Sequence, residues 1–219
     1  MEILYEDDVI LVCVKPSGVL SQTDASGSAS MVSFLAEHTG SPVFPVHRLD
    51  RETGGVMVYA KTAYASADLS KQIAQKQMKK DYFALAHGKA PQSGEMRDLL
   101  FYDRTKNKSY VVSKMRRGVK EALLEYRVLS QDDIDGVPYS LVKVSLLTGR
   151  THQIRVQFAH RKMPLAGDRR YGAKDSFSTL GLWAQQLQFF HPITKQLLTF
   201  GKPPEKESMY LMLGKYQNG

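Results

Sequence analysis

Apolar residues along this chain fall into short runs broken by polar turns, and most of the runs read as strands. Residues 9–14 have the composition of a buried strand, stopped by Lys15-Pro16-Ser17-Gly18. Residues 55–60 form a second run, rich in β-branched and aromatic residues, which starts inside the protein. Residues 81–87 give a third strand that ends at Gly88. Residues 121–129 and 139–147 alternate, the latter through Leu141, Val144 and Leu146, and a turn at 132–136 joins them as an antiparallel hairpin. Residues 182–190 are apolar and Gln-rich, and 197–200 make a last short strand.

Helical spacing is expected in three places. A short helix covers about 31–38. A longer one covers 63–76, with Ala67, Leu69, Ile73 and Ala74 inward and Lys71, Gln72 and Lys76 outward. The third covers 151–160, with Ile154 and Phe158 on its inner face. Residues 21–30 are small and polar, as in a flexible loop, 174–180 form another polar loop, and 89–118 read as an excursion from the core.

With 219 residues, 42% of them hydrophobic, the chain can bury a sizeable core, which excludes a disordered protein. It reads as one globular unit with room for two lobes. Thirty Lys and Arg against 22 Asp and Glu leave a net charge of +8, which suits a polyanion such as nucleic acid or a membrane surface. The apolar run at 9–14 follows an acidic start and is too short to cross a membrane, so a cytoplasmic monomer is expected. Cys13, the single cysteine, can form no internal disulfide and reads as a small buried hydrophobe.

The chemistry concentrates at the mouth of the second strand, in His47-Arg48-Leu49-Asp50-Arg51-Glu52-Thr53-Gly54-Gly55. Arg48 and Arg51 flank Asp50 and would favour its ionised form, available as nucleophile or base. A turn aspartate paired with arginine for structure explains the same residues. A second polar region, 103–120, concentrates cations around Tyr110, as an RNA-facing hairpin or a solvated one would. The six histidines are scattered without metal-ligand spacing, and no phosphate-binding glycine pattern occurs.

His47-Arg48-Leu49-Asp50, with Thr53 and Gly55, resembles the signature HRLDxxTSG of the RluA family of pseudouridine synthases, which isomerise selected uridines in RNA. Val14-Lys15-Pro16-Ser17-Gly18, Lys79-Lys80-Asp81-Tyr82, Thr148-Gly149-Arg150-Thr151-His152-Gln153-Ile154-Arg155 and Gly167-Asp168-Arg169-Arg170-Tyr171-Gly172 resemble further family stretches, in the expected order.

The resemblance implies an α/β fold of the α+β type, with residues 1–219 as one catalytic domain. Its central sheet would be mixed and mostly antiparallel, flanked by helices and loops, with a basic RNA-binding cleft. It implies Asp50 as nucleophile, attacking the sugar or carbon 6 of the base, Tyr82 against the target base, and Arg150 as partner of the carboxylate. Arg48, His47, Lys15, Arg155 and His152 would bind or support the substrate, ribosomal or transfer RNA, without cofactor or metal.

The chain departs from the family pattern at Gly54, where serine is usual, and at Gln157 and Trp183, where relatives often have histidine. Arg161-Lys162 replaces a common Gly-His. Two other classes remain open. One is a non-catalytic RNA-binding protein or RNA chaperone with this fold, the other a metal-independent hydrolase using Asp50.

Overall fold

The structure, a computed structural model of the chain, describes residues 1–24 and 27–204. In chain order the elements are β1 (Glu2–Glu6), β2 (Ile10–Lys15), α1 (Met31–Thr39), β3 (Phe44–Pro45), β4 (Gly54–Ala60), α2 (Ala63–Ala74), β5 (Lys79–His87), β6 (Ser93–Asp103) and β7 (Lys108–Val112). There follow β8 (Val119–Ile134), β9 (Val137–Leu146), α3 (Gln153–His160), a 3-10 turn at Arg169–Tyr171, β10 (Leu182–Phe190) and β11 (Leu197–Gly201). They form two compact units, one of Met1–Lys80 with Trp183–Pro203, the other holding Asp81–Leu182.

In the first unit the strands run β1-β2-β4-β10, with β11 on the far side of β10. Every residue of β4 is buried, so this strand is covered on both faces and shows no alternation. One edge of β4 pairs antiparallel with β2, from Lys15↔Gly55 to Ile10↔Ala60. Its other edge is shared between β3, antiparallel, and β10, parallel through Trp183↔Gly54 and Ala184↔Gly55. Ile10, Val12, Val56, Val58, Leu69 and Phe189 are core residues here. Cys13 is fully buried, and burial pushes its thiol up to about 12, so it behaves as a hydrophobe.

One expectation about α2 needs correction. In α2, Gln72 points inward and Ala67 and Ala74 outward, with Ala65 and Leu69 as the buried apolar residues. The reason is polar. Gln72 Nε2 donates to the Phe190 carbonyl (2.7 Å) and Phe190 N–H donates to Gln72 Oε1 (2.9 Å), so the amide stands in for a neighbouring strand. The polar loop at 21–30 is anchored at both described ends. Ser21 is buried against Leu49, and Ser30 is buried as the N-cap of α1, in a capping box with Ser33. Residues 25–26 of that loop lie outside the described residues.

The second unit is a wholly antiparallel sheet ordered β5-β9-β8-β6-β7. Residues 89–118 are no excursion, because β6 pairs with β8 from Ser93↔Arg127 to Phe101↔Val119, burying Met96 and Leu100. Charged outward residues between the buried ones masked this strand. The 121–129 strand continues to Ile134, and Asp135 (φ 51°) and Gly136 (φ 75°) make the two-residue left-handed turn that such hairpins favour. In α3 six of eight residues are buried, so it crosses the interior instead of showing one apolar stripe. Within each unit the pairings described above are antiparallel except that of β4 with β10.

Candidate active site

In the first unit, Asp50 opens the turn Asp50-Arg51-Glu52-Thr53 at the mouth of β4, closed by Thr53 N–H donating to the Asp50 carbonyl (3.0 Å). The neighbouring Leu49 is clamped by Ser21, whose Oγ accepts from Leu49 N–H (3.0 Å) and donates to its carbonyl (2.9 Å). The stretch after β2 grips the other side of the turn. Gly18 N–H donates to the Arg51 carbonyl (2.8 Å), Arg51 Nε to the Gly18 carbonyl (2.9 Å), and Ser17 Oγ to the Glu52 carbonyl (2.6 Å). The Asp50 turn is thus held in place from both sides, a preorganised arrangement.

Lys15 is fully buried, and its ammonium donates to the carbonyls of Pro16 (2.9 Å), Val19 (2.6 Å) and Arg51 (3.1 Å). An ammonium has three N–H groups, so all are engaged. This geometry makes Lys15 a clamp on the Asp50 turn. Burial brings its pKa down to about 8, while Asp50 and Glu52 oppose that fall.

His47 Nε2 accepts from Val58 N–H (3.2 Å), which puts the proton of the neutral ring on Nδ1. Burial, with Lys80 adding to it, holds its pKa well below the usual imidazole range. His47 Nδ1 and Thr53 Oγ1 are buried without a partner among the described residues. Arg48 is exposed and Asp50 half-buried.

In the second unit Tyr82 is 7% exposed on β5, opposite Val144 of β9. Arg150 donates through Nε to the Glu121 carbonyl (2.8 Å), and its backbone N–H donates to Gln153 Oε1 (3.0 Å). Arg155 is the deeper arginine. Its Nε and Nη2 bind Asp168 Oδ2 and Oδ1, both at 2.8 Å, and its guanidinium lies 5.4 Å from the Tyr171 ring centre. His152, at φ 54° before α3, places Nδ1 3.0 Å from Tyr171 Oη, which also accepts from Ser109 N–H (2.8 Å).

Tyr171 therefore gathers His152, Arg155 and the β6–β7 hairpin into one cluster. Its stretch, 167–172, resembles a family motif, but the resemblance gives neither Asp168 nor Tyr171 a role. Nothing in local periodicity pairs Arg155 with Asp168, and only a buried arginine's need for a counter-charge could have suggested it. Ser21 and Ser109 were missed because serine in a polar loop carries no distinctive signal.

Among the described residues, no group of three or more His, Cys, Asp or Glu is arranged to hold a metal. No described helix is long and apolar enough to cross a membrane.

The profile of a family described as RNA pseudouridylate synthase matches residues 9–160. An uncharacterized RNA pseudouridine synthase of Mycoplasma pneumoniae is 37% identical over 206 residues, covering 91% of this chain and 65% of that one. Ribosomal large subunit pseudouridine synthase D of Neisseria meningitidis is 32% identical over 231 residues, covering 97% and 60%. For tRNA pseudouridine synthase C of Vibrio cholerae the identity is 30% over 220 residues, covering 90% and 88%. The chain thus spans less than two thirds of the first two and most of the third.

A solved structure, human RNA pseudouridylate synthase domain containing 1, shares the fold with a TM-score of 0.79 at 21% identity, over 100% of this chain and 95% of that one. A matched profile that includes the Asp50 turn, Tyr82 and α3, with relatives of the same name over nine tenths of the chain, places it in the RNA pseudouridylate synthase family, among the RluA-type members that its motifs resemble.

Proposed function

We propose that this chain isomerises uridine to pseudouridine in a structured RNA, with Asp50 as the nucleophile. The observation that carries the reading is the Asp50 turn, pinned by Ser21 on one side and by Lys15, Ser17 and Gly18 on the other. Backbone groups and neighbouring side chains close and grip that turn, which fixes the position of Asp50.

The reaction breaks the bond from the ribose to N1, turns the base and forms the bond to C5. The C5 proton leaves and N1 gains one, so no oxidant, group donor or metal is needed. Asp50 attacks either the sugar carbon or C6 to hold the fragment. Tyr82 is assigned the face of the target base and the C5 proton. By resemblance, Arg150 is the partner of the Asp50 carboxylate. Arg155, held on Asp168, stands second, as a phosphate contact or a support of the cleft. Exposed Arg48 serves the RNA backbone, while His47 and His152 support the loops that carry the reacting groups.

Relatives are named for large-subunit ribosomal RNA and for transfer RNA, and one of these is the proposed substrate. We read residues 1–219 as one cytoplasmic, monomeric catalytic domain acting without cofactor.

The test is carbodiimide mapping of pseudouridine across ribosomal and transfer RNA from cells with and without the protein. A stop lost on deletion, restored by wild type and not by Asp50→Asn, is expected. An unchanged map with intact RNA binding would favour the non-catalytic reading, and free base or cleaved strand the hydrolase.

A further inference from the structure

Trp183 carries no role in the reaction just described, yet it stands directly beside the strand that follows the Asp50 turn. It is the parallel register partner of Gly54. A Cβ placed on Gly54 would collide with Trp183 Cζ3, lie 2.9 Å from Cε3, and come within 3.2 Å of the Lys15 carbonyl oxygen on the other side. The indole has little freedom to yield, because its Nε1 donates to the Lys202 carbonyl at 2.7 Å. The next pair differs in kind. Gly55 has φ +124° and its Cβ would meet backbone atoms of Ala184, so that glycine is demanded by the main chain. Gly54 has an ordinary φ, and the obstacles there are the Trp183 ring and one carbonyl.

Gly54 follows Thr53, whose N–H closes the Asp50 turn. The Lys15 carbonyl beside Gly54 belongs to the residue whose ammonium holds Arg51. We propose that Trp183 is a positioning residue for Asp50, acting through Gly54, and that the two departures from the family signature are one compensated exchange. A large ring on β10 takes the space that a side chain on β4 would fill, and sets where the Asp50 turn leaves the strand. The kinetic half of this inference rests on the isomerase reading, and the packing half does not.

The experiment compares wild type with Gly54→Ser, Trp183→His, Trp183→Phe and the double variant Gly54→Ser/Trp183→His. Thermal midpoints are measured first, then steady-state isomerisation of an RNA that wild type modifies. Gly54→Ser is expected to lose stability and, since an ångström of misplacement can cost about a hundredfold, at least about tenfold in kcat with little change in KM. Trp183→Phe should keep most of kcat, and the double variant should recover both stability and kcat relative to Gly54→Ser.

If Gly54→Ser does not fold, recovery of folding in the double variant supports the exchange, and its failure to fold overturns it. Equal stability and kcat in Gly54→Ser and wild type would overturn the proposal, as would a double variant no better than the single. A Trp183→His effect confined to KM would make Trp183 a substrate contact and overturn the positioning role. If wild type isomerises no RNA, the isomerase reading fails, and the stability cycle alone decides whether the pair is compensated.

Discussion

Lys15 Nζ donates to the carbonyl of Arg51 at 3.1 Å across 36 residues of chain, so the end of β2 holds the Asp50 turn through a buried charge. That charge titrates early, since burial brings it to about 8. A neutral amine keeps two N–H donors for three carbonyls, and Asp50 then loses a neighbouring cation. Activity should therefore fall as pH rises through about 8.

Stability moves the other way. An unfolded lysine titrates near about 10.4, so between 8 and that value the native chain binds fewer protons and this group's contribution improves with pH. In a pH–rate profile, Lys15→Met should start lower and lose its share of the alkaline limb. Lys80, also brought to about 8 by burial, keeps its own. An alkaline limb identical in Lys15→Met and wild type would remove Lys15 from the Asp50 turn's function.

The Arg155–Asp168 pair is buried, with side chains 4% and 0% exposed, and bonded at two points. Asp168→Asn leaves a guanidinium without its counter-charge, a loss of about 3–5 kcal/mol, or on the order of 10 °C in melting temperature. Arg155→Lys keeps the charge but not the two-pronged geometry and should cost less. Thermal melts of both variants check this, and an Asp168→Asn protein within about 1 kcal/mol of wild type would contradict it.

Legibility followed how each part is stabilised. β2 and β4 are continuous apolar runs because both faces are covered, so composition alone announced them. β1 and β6 are interrupted by acidic and basic side chains facing outward, and their strand character comes from pairing with β2 and β8, which local sequence does not display. Gln72 was expected to face outward because it is polar, and Ser21 sits in a polar loop, whereas each is buried to satisfy a backbone that lies far off in the chain. Likewise the Asp50 turn was legible as a place of chemistry, but the bonds from Lys15, Ser17 and Gly18 span more than thirty residues. Gln157 illustrates the limit. Its amide donates to Asp98 Oδ2 (2.7 Å), the same atom that Arg161 holds (2.8 Å), so two departures from the signature meet on one carboxylate.

The connection after β7 carries exposed Lys114, Arg116 and Arg117, and Arg116 is set 5.1 Å over the Phe101 ring. If these cations meet phosphates, Lys114→Gln and Arg117→Gln should weaken RNA binding alike across sequences. Each should lower the slope of log affinity against log salt by about 0.7–0.9. Turnover at saturating RNA should stay unchanged. Filter binding from low to high salt measures it, and an unaltered slope would return this segment to ordinary solvated surface.

Gly55 and Gly18 separate two reasons for glycine near Asp50. Both have positive φ, +124° and +88°. At Gly18 a Cβ would meet nothing within 4 Å, so Gly18→Ala pays only left-handed strain, about 1–2 kcal/mol, and its N–H and carbonyl still hold Arg51. At Gly55 the same Cβ would lie 2.6 Å from Ala184 N and 2.7 Å from its carbonyl carbon, besides colliding with its oxygen. No side-chain rotation relieves a clash with backbone, so β4 and β10 must part at the point where β4 receives the Asp50 turn. Gly55→Ala should therefore cost several times more stability than Gly18→Ala. It should abolish isomerisation even where enough folded protein survives to assay. Paired denaturant titrations measure the difference, and equal losses for the two variants would show that the parallel pair can yield and does not set the turn.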